Sequence, residues 1–432
     1  MKKCFVCLFV CLSVCSCAID QNTGGSTDPA EPVYQNETAY SCDVAWELQT
    51  YTWDNLCFSK LYGCSLYFIT GNTSHGIPYV LNKVNLDSGQ RDWQTVEIEG
   101  CTWAISKIDD KVFLFTDTGK DLLCFDDETG NLLATVGFDL NRDAADRKSF
   151  WMGSSTEYWN YLLWGNLDYL MRFDITKIVY DKSPDEIQII DPEPVWGMYQ
   201  DISIAATPYV ENGVVYVLST SQEPGENSIA AYDLSSDSLL WQRKTNKLAG
   251  MVIDGLKIEG DWLYIIDSDG STCLNKYTGA ERWVHNLDEK QVALYSGGCY
   301  LFGLWVDNGK IYYTNGIHSD TWMYIDIPEA QLKNIFCLDC ATGKMVWADM
   351  PRPPCGSLGA RPVVANGKAY VAHEEGLRIY DSSTGKLLGV DRSIRPRGRY
   401  SYNHYYKDKG YVIMSSPNDD NLTTRLVAIR AE

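Results

Sequence analysis

A short apolar run that ends in an acid and a tight turn recurs along the chain. In its clearest form, residues 336–347 read FCLDCATGKMVW: the apolar run ends at Asp339, a Thr-Gly turn follows, and Trp347 comes four residues after the glycine. A unit that recurs about every 40 residues is typical of a propeller or a solenoid. The repeated positions are an Asp or Asn, at Asn85, Asp126, Asp174, Asp233, Asn275, Asp339 and Asp381; a glycine, at Gly89, Gly130, Gly279, Gly343 and Gly385; and a tryptophan, at Trp93, Trp241, Trp283 and Trp347.

Each repeated position has a physical role. The Asp or Asn caps the turn, because its side chain accepts hydrogen bonds from backbone N–H groups two residues further on. The glycine adopts the positive φ that other residues resist. The tryptophan needs a large apolar neighbour and a partner for its indole N–H, and an interface between adjacent sheets offers both.

The strands before these turns also follow a pattern. Asn212-Gly213 precedes VVYVLS, Asn308-Gly309 precedes KIYYTN, and Asn366-Gly367 precedes KAYVAH. Asn-Gly between two strand-like runs is a strong hairpin signal. Each unit therefore predicts antiparallel strands joined by tight turns, which is the construction of one propeller blade.

The order of apolar strand, Asp, Thr-Gly turn and Trp resembles the PQQ-like propeller repeat. That superfamily includes the quinoprotein dehydrogenases and the BamB-type outer-membrane assembly lipoproteins. The resemblance covers nearly all of the chain after the first 17 residues. It is specific to the fold and not to the activity, because the repeated residues are those that build blades.

The resemblance implies an all-β propeller of about eight four-stranded antiparallel blades. Seven is the alternative, because the unit around Asp174 has no glycine. We expect the N-terminal strand at Val44–Tyr51 to pair with the last strand, at 425–430, and to close the ring. The units begin near Leu56, Thr102, Phe150, Ser203, Met251, Leu301, Leu358 and Tyr400.

The N-terminus has the pattern of an export signal. Residues 1–17, MKKCFVCLFVCLSVCSC, combine a basic start with a short apolar core. Their end resembles a bacterial lipobox, which implies lipid on Cys17; the alternative is an ordinary signal peptide without lipid. Residues 18–40 are polar and predict a flexible tether. The predicted domains are a lipoprotein-type signal peptide at 1–17, the tether at 18–40 and the propeller at 41–432.

Charge and cysteine spacing narrow the possible chemistry. The formal net charge of −20 disfavours nucleic-acid binding, because an acidic surface repels phosphates. Cys124, Cys273 and Cys337 each lie two residues before a capping Asp or Asn, which favours buried thiols. One or two disulfides remain open among Cys42, Cys57, Cys64, Cys101, Cys299 and Cys355.

The sequence shows no catalytic constellation. A quinoprotein dehydrogenase would need, as the resemblance implies, a disulfide between adjacent cysteines against the quinone, and no two cysteines are adjacent. Cys337-x-x-Cys340 lacks the second pair that a zinc site requires. G-x-S-x-G and P-loop motifs do not occur. We therefore expect a non-enzyme with no catalytic residues, no metal and no cofactor.

The expected function is a non-catalytic one. We expect an exported, lipid-anchored scaffold that binds proteins, and the resemblance implies a BamB-like contact with the outer-membrane barrel-assembly machinery. Insertions at 178–201 and 317–333 interrupt the regular spacing of the repeats and are candidate binding loops. The alternative is sequence drift in surface loops that tolerate insertions, which would give the same pattern.

Partners and location follow from the same expectation. The partners would be proteins and, through the anchor, the lipid bilayer, and the location would be the periplasmic or surface face of the outer membrane. One alternative is a carbohydrate- or small-ligand-binding surface lipoprotein, to which aromatic segments such as RYSYNHYY at 399–406 would contribute. The other alternative is a PQQ-dependent dehydrogenase.

Overall fold

The structure is a computed structural model, and almost all of its regular structure is β-strand. It describes residues 37–51, 59–72, 77–98, 102–116, 121–138, 154–165, 170–190, 193–196, 202–204, 208–221, 228–244, 252–253, 255–267, 270–287, 301–315, 333–349, 361–373, 376–395, 403–417 and 423–431. Several predicted features lie outside these ranges: the leader with Cys17, the tether up to residue 36, most of the insertion at 317–333, and residues 396–402.

The strands are short and follow one another closely. In chain order they are β1 (Val44–Tyr51), β2 (Lys60–Tyr62), β3 (Ser65–Asn72), β4 (Ile77–Asn85), β5 (Arg91–Gln94), β6 (Thr102–Ile108), β7 (Lys111–Thr116), β8 (Asp121–Asp126), β9 (Leu132–Gly137), β10 (Ser154–Tyr158), β11 (Tyr161–Gly165), β12 (Leu170–Asp174), β13 (Ile187–Ile189), β14 (Glu193–Trp196), β15 (Ile202–Ile204), β16 (Tyr209–Glu211) and β17 (Val214–Ser221). They continue with β18 (Ser228–Asp233), β19 (Ser238–Lys244), β20 (Val252–Ile253), β21 (Leu256–Glu259), β22 (Trp262–Asp267), β23 (Gly270–Asn275), β24 (Glu281–Asn286), β25 (Leu301–Asp307), β26 (Lys310–Asn315), β27 (Ile335–Asp339), β28 (Met345–Asp349), β29 (Val363–Ala365), β30 (Lys368–His373), β31 (Gly376–Asp381), β32 (Leu387–Asp391), β33 (His404–Tyr406), β34 (Tyr411–Pro417) and β35 (Thr423–Arg430). A 3₁₀ helix, Ile175–Lys177, follows β12.

The described strands group into eight sheets, each built around four antiparallel strands. They are sheet 1 (β2-β3-β4-β5), sheet 2 (β6-β7-β8-β9, then β13), sheet 3 (β10-β11-β12-β14), sheet 4 (β15-β17-β18-β19, with β16 also on β17), sheet 5 (β21-β22-β23-β24), sheet 6 (β25-β26-β27-β28, with β20 on β25), sheet 7 (β29-β30-β31-β32) and sheet 8 (β33-β34-β35-β1). Each predicted unit contains one of these sheets, including the unit around Asp174, which forms sheet 3. Successive antiparallel sheets of this kind are propeller blades, so the predicted all-β propeller is confirmed.

The Asn-Gly pairs form the hairpins that their sequence predicts. Both residues of each pair have positive φ, for example 47° at Asn308 and 71° at Gly309. Two consecutive positive φ angles define the tight turn whose twist matches that of the flanking strands. Asp307 pairs with Lys310 on either side of this turn, so the loop contains two residues.

The hydrophobic core lies between neighbouring sheets. In β27, four successive residues are buried, because other sheets cover both faces of sheet 6. One core cluster joins Tyr264 and Trp283 of sheet 5 to Tyr313 and Phe336 of sheet 6. The rings of Tyr313 and Phe336 stack with centroids 4.9 Å apart.

The N-terminal strand closes the ring as expected. β1 pairs antiparallel with β35, from Val44 opposite Ile429 to Tyr51 opposite Thr423. The edge of β35 is therefore covered by a strand from the other end of the chain, and the prediction of closure is confirmed.

Candidate functional site

The acid or amide of each repeat caps its turn. Asp339 accepts hydrogen bonds from the backbone N–H groups of Ala341 and Thr342, at 3.1 and 2.8 Å, and from the Thr342 hydroxyl, at 2.7 Å. Equivalent bonds are made by Asn85, Asp126, Asp233, Asn275 and Asp381. Asp174, whose repeat has no glycine, instead accepts from Thr176 N–H at 3.0 Å and caps the 3₁₀ helix.

These hydrogen bonds lower the pKa of three of the capping carboxyl groups. Donation by the Ser383 hydroxyl, followed by that of Thr384, lowers the pKa of Asp381 to about 2. The Thr342 hydroxyl likewise lowers the pKa of Asp339, and the Ser235 hydroxyl lowers that of Asp233. Asp233, Asp339 and Asp381 are therefore carboxylates at neutral pH, and each accepts hydrogen bonds within its own turn.

The repeated glycine lies against the tryptophan of the preceding sheet. Gly343 has φ +66°, and a Cβ added there would lie 2.5 Å from Cδ2 of Trp283. Gly89, Gly130, Gly279 and Gly385 have the same positive φ and the same close approach to an indole ring. The position requires glycine both for its backbone conformation and for the space that the indole occupies.

The indole N–H of each such tryptophan crosses to the next sheet. Each one donates to the carbonyl of the residue after the capping Asp or Asn: Trp46 to Leu86, Trp93 to Asp127, Trp241 to Lys276, Trp283 to Cys340 and Trp347 to Ser382, all at 2.8–2.9 Å. Ring, glycine and carbonyl thus form a latch between consecutive sheets.

Sequence reasoning missed two members of this latch. Trp46 in β1 connects sheet 8 to sheet 1, and its Leu86 carbonyl lies one residue after the cap Asn85. Arg172 takes the place of the indole between sheets 3 and 4, since its guanidinium donates to the Leu234 carbonyl at 3.2 Å. The signal for Trp46 was Gly89, which has no tryptophan in an upstream repeat.

In sheet 7 a glycine stands where the latch tryptophan would be. Gly389 lies opposite Ile379, as Trp347 lies opposite Cys337 in sheet 6. The space beside Gly389 is filled by the N-terminal segment, because a Cβ at this glycine would be 2.8 Å from the Thr38 carbonyl oxygen and from Cβ of Tyr40.

This N-terminal segment, residues 37–40, is bound along the edge of β32. Tyr40 N–H donates to the Val390 carbonyl, and Val390 N–H donates to the Thr38 carbonyl, each at 3.0 Å. Glu37 then pairs with Arg378 through two hydrogen bonds of 2.9 and 3.3 Å. Arg378 is only 2% exposed, so the carboxylate of Glu37 neutralises a buried charge. The end of the predicted tether is thus part of the packed structure.

The described cysteines are thiols, and those in the repeat are buried. Cys124, Cys273 and Cys337 are fully buried, and Cys42, Cys64 and Cys340 are also free. Burial raises the pKa of Cys124, Cys273 and Cys337 to about 12, which disfavours the reactive thiolate. The predicted possibility of a disulfide at Cys57, Cys101, Cys299 or Cys355 lies outside the described residues.

The start of sheet 8 contains a buried polar group. Ser59 Oγ and His404 Nε2 are 2.7 Å apart, and both side chains are buried. Asn403, next in the chain, exchanges hydrogen bonds with Arg361, one to each backbone carbonyl, at 3.0 Å. These contacts place the second half of the RYSYNHYY segment in the sheet rather than on a solvated loop.

Four exposed apolar side chains lie in the first turn of sheet 3 and in the insertion that follows β12. Trp159, in the turn between β10 and β11, is 79% exposed. The insertion after β12 displays Val179, Ile187 and Ile189, of which the last two are 55% and 63% exposed. Part of this insertion forms β13, which pairs parallel with β9 at the edge of sheet 2.

The described residues contain neither a metal-binding cluster nor a membrane-spanning helix. Within them, no group of three or more His, Cys, Asp or Glu side chains is arranged to hold a metal ion. No helix in the same part of the chain has the length and apolar composition needed to cross a bilayer.

Comparisons with known proteins agree with this architecture. Residues 198–285, which include most of sheets 4 and 5, match a family model described as outer membrane protein assembly factor BamB. The chain is a β-propeller, and this segment of it is similar to the PQQ-like repeat family. No curated protein sequence matches this chain.

Solved structures resemble the chain over most of its length. BamB from Moraxella catarrhalis is 12% identical with a TM-score of 0.57, covering 91% of this chain and 99% of that one. Quinohemoprotein alcohol dehydrogenase from Comamonas testosteroni is 11% identical with a TM-score of 0.62, covering 90% and 76%. The computationally designed Ika8 protein is 11% identical with a TM-score of 0.52, covering 88% and 98%. At such identities the likeness shows the fold alone.

Proposed function

We propose that this PQQ-like propeller is an exported, lipid-anchored, non-catalytic scaffold that binds protein partners in outer-membrane protein assembly. The observation that carries the proposal is the match of residues 198–285 to the BamB family model. The leader at 1–17, with Cys17 at its end, supports export and anchoring.

The chemistry of the repeats supports a scaffold. The capping carboxylates accept hydrogen bonds from their own turns, and the indole N–H groups donate to carbonyls of the next sheet. These groups therefore hold the sheets together. Partners would bind to the exposed surface of the propeller, which these groups do not occupy. Binding a protein requires such a rigid framework but no group that exchanges protons or electrons with a substrate.

Membrane anchoring is tested by replacing the lipid-accepting residue. In a bacterium with lipoprotein-processing enzymes, the wild-type chain should incorporate labelled palmitate and sediment with membranes. Cys17→Ser should lose both, whereas Cys15→Ser should retain both. Equal labelling of Cys17→Ser and the wild type would contradict the assignment of Cys17.

Partner binding is tested by crosslinking the anchored protein in intact cells and purifying it from solubilised membranes. Recovery of a protein of the barrel-assembly machinery, at higher yield than with an unrelated anchored propeller, supports the proposed function. Failure to recover such a protein, together with binding to a glycan array, would replace this function by ligand binding at the surface.

A further inference from the structure

The fourth strand of each sheet lies at an edge of the four-stranded unit, and two of these edges are covered by another segment of the chain. In sheet 2 the edge of β9 is covered by β13, which runs parallel to it. In sheet 7 the edge of β32 is covered by residues 37–40, where Ala39 pairs parallel with Val390. No residue of β9 or β32 is exposed. Covering an edge matters because its unpaired backbone groups are a template for pairing with another chain.

Charged side chains protect the corresponding edge in two other sheets. The residue before the latch tryptophan is Asp92 in β5 of sheet 1 and Arg282 in β24 of sheet 5, and both are exposed. A charge on an edge strand opposes contact with another strand, because the charge would have to leave water. These two edges are therefore protected without a covering segment.

In the two covered sheets the corresponding residue is apolar. It is Leu133 in β9 and Leu388 in β32. Each leucine packs against a core cluster, and a tyrosine of the covering segment packs against the same cluster: Tyr180 in sheet 2 and Tyr40 in sheet 7. In these sheets an apolar residue at this position accompanies a covered edge.

In the described structure, β19 of sheet 4 has neither a covering segment nor a charge at this position. The residue before Trp241 is Leu240, which is 48% exposed, and Leu239 is 49% exposed. Five of the seven residues of β19 are exposed, and within the described residues no strand pairs with its free edge. A long apolar edge of this kind is a place where an extended segment can add to a sheet.

Sheet 6 provides a comparison with a shorter edge. The residue before Trp347 in β28 is Val346, which is 42% exposed, and Met345 precedes it. β28 has five residues, of which only these two are exposed. Because main-chain hydrogen bonds supply the affinity when a strand is added, the longer and more exposed β19 is the better acceptor.

The segments that cover sheets 2 and 7 indicate what kind of strand would cover β19. Both run parallel to the strand that they cover. Two copies of β19 related by a twofold axis would pair antiparallel, so the pattern in this chain favours a different protein over a second copy. Leu239 and Leu240 favour apolar side chains in the added strand, because side chains on neighbouring strands contact one another.

We propose that the edge of β19 is a docking site for a partner protein, which adds an extended apolar segment to sheet 4 as a strand parallel to β19. Main-chain hydrogen bonds supply the affinity, and contacts with Leu239 and Leu240 supply the specificity. This inference rests on the proposed scaffold function and specifies the surface that performs it.

The first part of the test is photo-crosslinking in cells that express the full chain. Benzoylphenylalanine replaces Ser238 or Gln242, which are exposed in β19, and Asp92 on sheet 1 in the control. Mass spectrometry identifies the crosslinked protein and the residue joined at each position. We expect one protein to be joined at positions 238 and 242 but not at 92. Its joined residues should advance along one segment in the same direction as β19, as a parallel strand requires.

The second part measures binding of that segment, synthesised as a peptide, to the purified chain by fluorescence anisotropy. Leu240→Arg introduces the side chain that sheet 5 has at this position, so we expect the fold to be retained. This variant should weaken binding about tenfold, and Val346→Arg, which adds the same charge to sheet 6, should leave binding unchanged. Thermal unfolding checks that both variants are folded. In the wild type, bound peptide should slow amide hydrogen exchange in β19 and not in β28.

Three outcomes would overturn the inference. They are the absence of any adduct specific to positions 238 and 242, an adduct with a second copy of this chain or with an antiparallel segment, and a peptide that binds Leu240→Arg as tightly as the wild type. If the wild type and Leu240→Arg recover the same assembly protein from membranes equally well, the docking site is wrong but the scaffold function stands. If the segment docked on β19 belongs to a protein outside outer-membrane assembly, the docking site stands and the proposed role in assembly is wrong.

Discussion

The Thr-Gly turn and the indole packed on it act as one unit, although they belong to different sheets. Gly343 supplies a positive φ and leaves room for the Trp283 ring, whose N–H then reaches the Cys340 carbonyl. An unmade hydrogen bond at a buried carbonyl costs about 1–3 kcal/mol, so each latch contributes packing and polar satisfaction together.

Replacing the latch glycine should therefore lower the free energy of unfolding more than replacing another glycine that has a similar positive φ. We expect Gly343→Ala to destabilise the protein by about 3 kcal/mol, because the left-handed backbone penalises alanine and the new Cβ clashes with Trp283. The control is Gly367→Ala, where φ is +76° and nothing lies within 4 Å, with an expected loss of about 1 kcal/mol. Urea unfolding followed by far-UV circular dichroism measures both, and equal losses would show that the indole contact is unimportant.

The cap formed by Asp381 makes the stability of the protein depend on pH. The pKa of Asp381 is about 2 in the folded chain, below the ordinary value of an unfolded aspartate, so its contribution is present above pH 4 and is lost as the pH falls toward 2. Asp381→Asn should retain the cap, as Asn85 and Asn275 do, and lose less stability over this interval. Thermal midpoints measured between pH 5 and pH 2 test this, and identical slopes for the two proteins would contradict it.

At the scale of elements, sheet 7 depends on a segment that has no regular structure of its own. Residues 37–40 run along β32 and fill the space beside Gly389, where sheets 1, 4, 5, 6 and 8 place a tryptophan at their equivalent position. The buried guanidinium of Arg378 makes this contact electrostatic as well as steric, because Glu37 supplies its carboxylate partner.

Removal of that carboxylate should destabilise the protein. We expect Glu37→Ala to lower the free energy of unfolding by about 2–3 kcal/mol, because it removes a carboxylate that pairs with the buried charge of Arg378. Asp43→Ala is the matched control, since its pair with Arg430 is exposed and should contribute little. Urea unfolding of both variants measures the difference, and a larger effect for Asp43→Ala would refute the anchoring role of Glu37.

The repeats were predictable because their chemistry is local. A capping Asp, a Thr-Gly turn and an Asn-Gly hairpin each fit within a few residues, so strands and closure follow from the sequence alone. Trp46 and Arg172 were missed because their hydrogen-bond partners lie in other sheets. Glu37 was missed because a short polar segment looks the same whether it is a tether or is fixed by a buried arginine.

At the scale of the whole molecule, the repeat uses thiols as small apolar side chains. Cys124, Cys273 and Cys337 lie in the third strand of sheets 2, 5 and 6, where they are fully buried. Their column is the same in each sheet, since every one of them is two residues from a capping Asp or Asn. Thiols in this position fill volume at the sheet interfaces and take part in no disulfide.

Alkylation distinguishes these thiols from an exposed one. We expect iodoacetamide at pH 8 to modify Cys64, which is exposed, within minutes. Cys124, Cys273 and Cys337 should react only after unfolding, because burial excludes the reagent and raises their pKa to about 12. Peptide mass spectrometry before and after addition of urea gives the comparison. Rapid native labelling of Cys273 would contradict the packing between sheets 5 and 6.

Ring closure also imposes an order of events on biosynthesis. β1 leaves the ribosome among the first strands and β35 is the last, and the hydrogen-bonded residues Thr50 and Thr424 are 374 positions apart. Until β35 has been synthesised the first strand has no partner for its edge, so sheet 8 is completed only after residue 430 has been added. A product that ends before residue 423 would lack β35, so that β1 would have no partner strand and β34 would be paired only with β33. Premature termination thus exposes two edges at once, and proteases can recognise an incomplete chain by them.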